Sequence, residues 1–232
     1  MDTEKVFAVF GLGVFGLEIC KVLASKGANV IAVDKDQKMI DRVKDAVTYS
    51  VLLDSTDEEA LRNAGLDDVD VAVIAVGDTM DASILTTILL KNMGVPRIIA
   101  RARSDVHGQV LKRIGATEVI NIEIEVGHRL ANRIFSPDII DVIPVSPDAT
   151  IAELRLPKDF AGKSPHDLDI RKRYNVNIVA VKRTKTDVDA LGNPKRAEQV
   201  FTPKPTDILN VNDVLVILGR NEDIEKLKEF AK

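Results

Sequence analysis

The 232-residue sequence is poor in cysteine, with Cys20 as its only thiol. That excludes an intrachain disulfide and a cysteine-rich zinc site, and it leaves Cys20 as a small buried residue on a first helix. An excess of positive charge is also missing. Lys and Arg number 32 against 36 Asp and Glu, a net charge of -4, so a broad basic face for nucleic acid is not expected. The start, MDTEKVFAVF, has no basic stretch leading into a long apolar one, so no signal peptide is read. No apolar run approaches the ~20 residues that a membrane helix needs. Together these absences predict a cytoplasmic chain without direct membrane insertion. Fixed-period repeats and low-complexity tracts are absent too. His107, His128 and His166 sit in no recognisable catalytic pattern, and SxxxYxxxK, GxSxG and HExxH spacings do not occur.

The residues that are present describe an ordinary globular chain, 45% hydrophobic and 29% charged, long enough for two domains. VFAVF (6–10) reads as a buried strand, followed by helical spacing of Leu17, Cys20, Leu23 and Ala24, with Gly27 as a stop. NVIAVD, TYSVLLD, VDVAVIAVG, RIIARA and EVINI repeat the strand signal. The helical segments DQKMIDRVKDA, DEEALRNAG, DASILTTILLKNMG and DVHGQVLKRIG alternate with them. Six near-continuous apolar strands alternating with helices predict an α/β fold, a Rossmann-like six-stranded parallel sheet covered on both faces. A helical segment, 124–135, carries Val126, Leu130, Ala131, Ile134 and Phe135 on one stripe. Beyond it the texture becomes strand-rich, with the helical run PHDLDIRKRYN and the closing NEDIEKLKEFA, which predicts a small α+β C-terminal domain. The polar stretch 184–197 reads as an exposed loop. The expected domains are residues 1–138 and 139–232.

The glycines of FAVFGLGVFG carry the strongest chemical signal. Gly11, Gly13 and Gly16 follow a strand and open a helix, and Asp34 ends the second strand 18 residues beyond Gly16, near the expected ~20. In this pattern Gly11 permits the tight turn, Gly13 admits phosphates to the backbone, and Gly16 lets the helix pack on the sheet. The helix N-terminus then offers free amides and a partial positive charge to a pyrophosphate. The Asp34 carboxylate suits ribose hydroxyls and repels a 2′-phosphate, which disfavours NADP. After strand three, Ser55 and Thr56 suit either a ligand contact or a helix cap. Ala75, Val76 and Gly77 leave room for a flat base. Arg101 suits either a phosphate or the solvent rim of the sheet.

The blocks FAVFGLGVFG, VIAVD, VLLDSTDEE, VAVIAVGDTMDASILTTILLK and RIGATEVI, followed by the smaller module, resemble the regulator-of-potassium-conductance domain. Within it the likeness is to the cytosolic subunits of the Ktr and Trk bacterial potassium uptake systems, and Phe15 and ASILTTILLK are more Ktr-like. The resemblance covers essentially the whole chain. It implies a non-enzymatic gate in which a Rossmann-like lobe binds NAD(H) or ATP and ADP. A crossover helix joins two lobes into a homodimer, and four dimers form an octameric ring beneath an integral-membrane potassium transporter subunit. Segment 124–135 holds the crossover position, with its stripe either a dimer contact or an intrachain packing face.

By the same resemblance, Gly11, Gly13, Gly16 and Asp34 match the family's nucleotide positions. The expected lining extends to Val14, Phe15, Lys35, Asp54, Ser55, Ala75, Val76 and Gly77, with Arg101 approaching the phosphates. Glu123 matches an acidic residue that in some members holds Ca²⁺ or Mg²⁺ at the dimer interface, and it equally suits a helix N-terminus. Many Ktr subunits carry arginine where this sequence has Val14, so a charged bond to a terminal phosphate is missing and NAD(H) stays open. In the C-terminal domain, LDIRKRYNVNIVAV places Asp169, Arg171, Asn177 and Ile178 in a pattern of members that bind cyclic di-AMP, although Pro165 and His166 depart from it. The alternative reading is a small NAD-dependent oxidoreductase.

Overall fold

Strand β1 (Val6–Phe10) alternates its side chains between two buried layers, which explains why it shows no polar face. Ala8 and Phe10 enter one hydrophobic cluster, and Val9 enters another on the opposite side of the sheet. The computed structural model describes residues 5–66, 68–77, 79–135, 138–188 and 194–229. Strands β2 (Asn29–Asp34), β3 (Tyr49–Leu52), β4 (Val71–Ile74), β5 (Arg97–Arg101) and β6 (Glu118–Ile120) join β1 in one sheet, ordered β3-β2-β1-β4-β5-β6, with every pair parallel. Helices α1 (Val14–Ser25) and α2 (Gln37–Asp41) flank one face, where Cys20, Ile40 and the following Val43 are buried. Helices α3 (Glu58–Asn63), α4 (Met80–Asn92) and α5 (Asp105–Ile114) serve the other through Leu61, Leu90 and Leu111.

The strand order reverses between β1 and β4. In a parallel sheet of this kind the crevice outside the carboxyl ends of those strands is where ligands bind, and it is where β1 delivers the glycine turn. The helix expected over 36–46 stops at Asp41. Helix α6 (Ile122–Phe135) begins two residues ahead of the expected segment.

The chain divides into two compact units, Met1–Glu125 and Val126–Lys232, with the division inside α6. The second unit holds β7 (Ile139–Pro144), β8 (Ala149–Arg155), β9 (Asn177–Val188), β10 (Pro194–Phe201) and β11 (Val214–Arg220) in one antiparallel sheet, ordered β10-β9-β11-β8-β7. Its core gathers Leu154, Val181, Leu215 and Ile217 from the sheet with Leu168, Ile170, Tyr174 and Ile224.

Two expectations need correction here. The run PHDLDIRKRYN is two short helices, α7 (Pro165–Leu168) and α8 (Ile170–Tyr174), broken at Asp169 with φ 46°. Leu168 and Ile170 are both 3% exposed, and residues two apart cannot share a helix face, so the chain must turn between them to bury both. The stretch 184–197 is not a loop throughout: β9 and β10 pair from Phe201↔Val181 to Pro194↔Val188. A two-stranded ribbon at a sheet edge needs no apolar alternation, so its polar composition concealed it. The remaining part of that stretch, 189–193, lies outside the described residues. The chain closes with α9 (Asn221–Glu229).

Candidate functional site

The turn from β1 into α1 is held by close backbone packing. Gly11 takes φ +89°, donates its amide to Val33 O at 2.8 Å, and approaches Val76 so nearly that a Cβ would stand 2.9 Å from its nitrogen. Gly16 sits against the same turn, and a Cβ there would lie 1.9 Å from the Gly11 carbonyl oxygen. Gly13 differs: its φ of -61° suits any residue, and no atom lies within 4 Å of a Cβ built on it, so it faces open space.

Gly13 is the N-cap of α1 and offers no side-chain bond. The first intrahelical bond is Leu17 N to Gly13 O at 2.9 Å. The amides of Val14, Phe15 and Gly16 therefore precede the helical ladder. No acidic side chain occupies the first turn, so the positive end of the helix is uncompensated.

Asp34 faces this turn from the end of β2. Its Oδ2 accepts from Leu12 N at 2.6 Å and its Oδ1 from Asp36 N at 2.8 Å, leaving each oxygen a further lone pair. Gly11, Gly13, Asp34, Lys35, Asp54, Ser55, Ala75, Val76, Gly77 and Arg101 line one cavity of about 170 Å³. The side chains of Val14 and Phe15 do not line it, Val14 being 92% exposed and Phe15 packed on the α1-side core, and Gly16 is buried in the turn, so these three present backbone amides at the start of α1. Val33, Leu53 and Ala82 complete the lining and were missed. Each adjoins a residue named from the sequence or opens the helix after β4, so position relative to the strand ends was the available signal.

Neither Ser55 nor Thr56 is the helix cap. Asp57 caps α3 by accepting from Ala60 N at 3.0 Å. Ser55 Oγ bonds Thr86 Oγ1 at 2.8 Å and so ties the β3 end to α4. Thr56 donates its amide and hydroxyl to Asp54 Oδ1 at 3.0 and 2.7 Å. Those bonds, with Lys35 nearby, hold the Asp54 carboxyl below its ordinary range.

Arg101, the last residue of β5, is paired through Nη2 with Glu123 in the first turn of α6. This bond holds the Glu123 carboxyl below its ordinary value. The Arg101 Nη1 lies against Gly77, and its buried Nε has no hydrogen-bond partner. One oxygen of the Glu123 carboxylate is thus engaged by Arg101. Among the described residues no group of three or more His, Cys, Asp or Glu could hold a metal ion.

In the second unit Asp169 marks the break between α7 and α8, and Arg171 on α8 is exposed. Asn177 opens β9 opposite Leu218, and Ile178 packs against the core. None of these four lines the first unit's cavity or a cavity of about 540 Å³ beside α9 in the second unit.

Residues 7–122 match the TrkA-N domain and residues 151–232 the TrkA-C domain. The chain belongs to the TrkA-N/TrkA-C family. It is 36% identical over 226 residues to the Ktr system potassium uptake protein C of Bacillus subtilis (strain 168), covering 97% of each chain. To the Ktr system potassium uptake protein A of Vibrio alginolyticus it is 31% identical over 231 residues, covering 98% of each. The family resemblance drawn from the glycine turn and strand pattern is thus the family found. Among solved structures, the GsuK channel superposes with a TM-score of 0.70 at 20% identity, covering 99% of this chain. This chain spans 40% of the length of that solved chain, and at such identity the likeness is one of fold.

Proposed function

We propose that this member of the TrkA-N/TrkA-C family is a regulatory subunit of a potassium uptake system that senses an adenine nucleotide and releases it unaltered. The observation that carries the proposal is one cavity where the uncapped start of α1, the Asp34 carboxylate and the Arg101 guanidinium meet. The amides and Arg101 suit phosphate oxygens, and the spare lone pairs of Asp34 suit ribose hydroxyls. The relatives are potassium uptake proteins, and a fold neighbour, the GsuK channel, has been solved bound to NAD. The ligand class is therefore NAD(H) or ATP and ADP.

Among the described residues no helix is long and apolar enough to cross a membrane. In this reading the chain acts from the cytoplasm on an integral-membrane partner. By the same reading residues 1–138, the nucleotide lobe with its crossover helix, run past the compact unit that ends at Glu125, and 139–232 are the second lobe. Val126, Leu130, Ile134 and Phe135 on α6 are all exposed and supply the contact of a homodimer, the building block of an octameric ring. A ligand shifts such an assembly only by contacting its two arrangements differently.

An enzymatic reading finds its best candidate dyad in Ser83 and His107, 3.0 Å apart and buried. The His107 Nδ1 accepts the Arg103 amide at 3.3 Å, so Nε2 carries the proton and donates to Ser83 Oγ, which in turn donates to Met80 O at 2.8 Å. That polarity is the reverse of a base activating a nucleophile.

The test is calorimetry with NAD, NADH, ATP, ADP and cyclic di-AMP, the last for Asp169, Arg171, Asn177 and Ile178, followed by recovery of the bound molecule. Saturable binding of an adenine nucleotide recovered intact is expected. No binding, or recovery of a converted product, overturns the reading.

A further inference from the structure

Arg101 has a divided allegiance. It lines the nucleotide cavity, yet its Nη2 is already taken by Glu123, which belongs to the helix that carries the chain from the first unit into the second. The two partners are unequally placed. The Arg101 side chain is 22% exposed and that of Glu123 is 57% exposed, so a carboxylate reaches in from solvent to a largely buried guanidinium. The buried Nε–H beside this bond has no acceptor. A donor left unsatisfied in the folded state favours any arrangement that supplies an acceptor. A phosphate oxygen can do so, because a guanidinium presents its Nε and Nη donors as a planar fork.

We infer that Glu123 is a built-in competitor for the phosphate subsite: a phosphate entering the groove takes Arg101 from Glu123, and the freed carboxylate releases the first turn of α6. The inference rests on the nucleotide reading above and names how that site is regulated. The exchange is isosteric in charge, anion for anion, so it leaves no charge stranded. Glu123 returns to water at little cost because it is already more than half exposed. By linkage the coupling is reciprocal. If the ligand weakens the hold on α6, then abolishing that hold must tighten the ligand. Asn121 Oδ1 accepts the Ile124 amide at 3.2 Å and is not part of the exchange, so the helix keeps a cap while its side-chain tether is lost.

The sign of one mutation decides the matter. In Glu123→Gln the competing charge is gone while the shape is kept, at an exposed position where folding is not at risk. Calorimetry on the full chain, in chelator, compares ADP with adenosine, which lacks the phosphates. The variant is expected to bind ADP roughly two- to fivefold tighter, the span of one partly exposed ion pair, with adenosine affinity unchanged. Hydrogen exchange supplies the second readout: ADP speeds exchange of the amides of residues 122–126 in the wild type and has no such effect in the variant. Equal or weaker ADP binding by Glu123→Gln, or an equal gain for adenosine, overturns the competition while leaving the nucleotide site intact. Failure of ADP to bind either protein overturns the competition, and failure of NAD, NADH and ATP as well overturns the nucleotide reading.

Discussion

The Leu12 amide donates to Asp34 Oδ2 at 2.6 Å, bridging the glycine turn and the end of β2 across 22 residues. Leu12 is 0% exposed, so this amide has no water to fall back on. Asp34 is therefore both a ligand group and a structural one. Replacing it with alanine leaves the Leu12 donor unsatisfied, at a cost of about 1–3 kcal/mol. Asp34→Ala is expected to lower the urea midpoint of the first unit and to weaken adenine-nucleotide binding together. A variant with unchanged stability would show that the turn does not depend on the carboxylate.

Gly13 and Gly16 separate folding from binding. A methyl group at Gly16 would stand 1.9 Å from a backbone oxygen, a contact that no rotamer relieves. Gly16→Ala should cost about 3 kcal/mol or more. Gly13→Ala meets no protein atom within 4 Å and needs no left-handed backbone, so its stability should stay within about 0.5 kcal/mol of wild type. Its methyl group projects into the open side of the turn, and nucleotide binding should fall at least tenfold. Denaturation and calorimetry on the pair check both halves.

Most of the first unit was legible because burial on both sheet faces leaves an uninterrupted apolar signature, as in VFAVF and VAVI. The groove was legible for the same reason: glycines at fixed offsets from a strand end have few other uses. What escaped was tertiary. The pairing of Arg101 with Glu123 depends on β5 and β6 lying side by side, so that the ends of two segments 22 residues apart converge. The break at Asp169 was visible in principle, since Leu168 and Ile170 are two apart and both apolar. The β9–β10 ribbon was not, because register at a sheet edge is set by backbone pairing that leaves little trace in polarity.

The second unit buries the carboxylate of Asp213. Asp213 is 1% exposed and accepts from Arg183 Nε at 2.8 Å, from Arg183 Nη2 at 2.7 Å and from Asn210 N at 2.8 Å. The aspartate pushes the Arg183 pKa further upward, and the guanidinium carbon lies over the Phe201 ring, 5.2 Å from its centroid. Asp213→Ala strands that cation and should destabilise the unit by about 3 kcal/mol. The double replacement Arg183→Leu, Asp213→Leu should recover much of the loss, because no charge is then left unpaired. Hydrogen-exchange protection of the β11 amides measures both, and a double replacement no more stable than Asp213→Ala would show that the stranded cation is not the cost.

His107 should make the first unit acid-sensitive well above the carboxylate range. The residue is 4% exposed, and burial, aided by the charge of Arg103, pushes its pKa below the ordinary 6.5. The unfolded chain therefore takes up the proton first as pH falls, so protonation favours unfolding. The contribution of neutral His107 is intact above about pH 6.5 and is lost as pH drops through the lower folded value. Unfolding midpoints measured at about pH 7.5 and 5.5 should fall in the wild type. In His107→Gln the drop should be smaller, although that variant starts lower at pH 7.5, by roughly 0.5–1.5 kcal/mol for the altered bond to Ser83. Identical pH dependence in the two proteins would mean that the imidazole takes up its proton equally in the folded and unfolded chains, contrary to its burial.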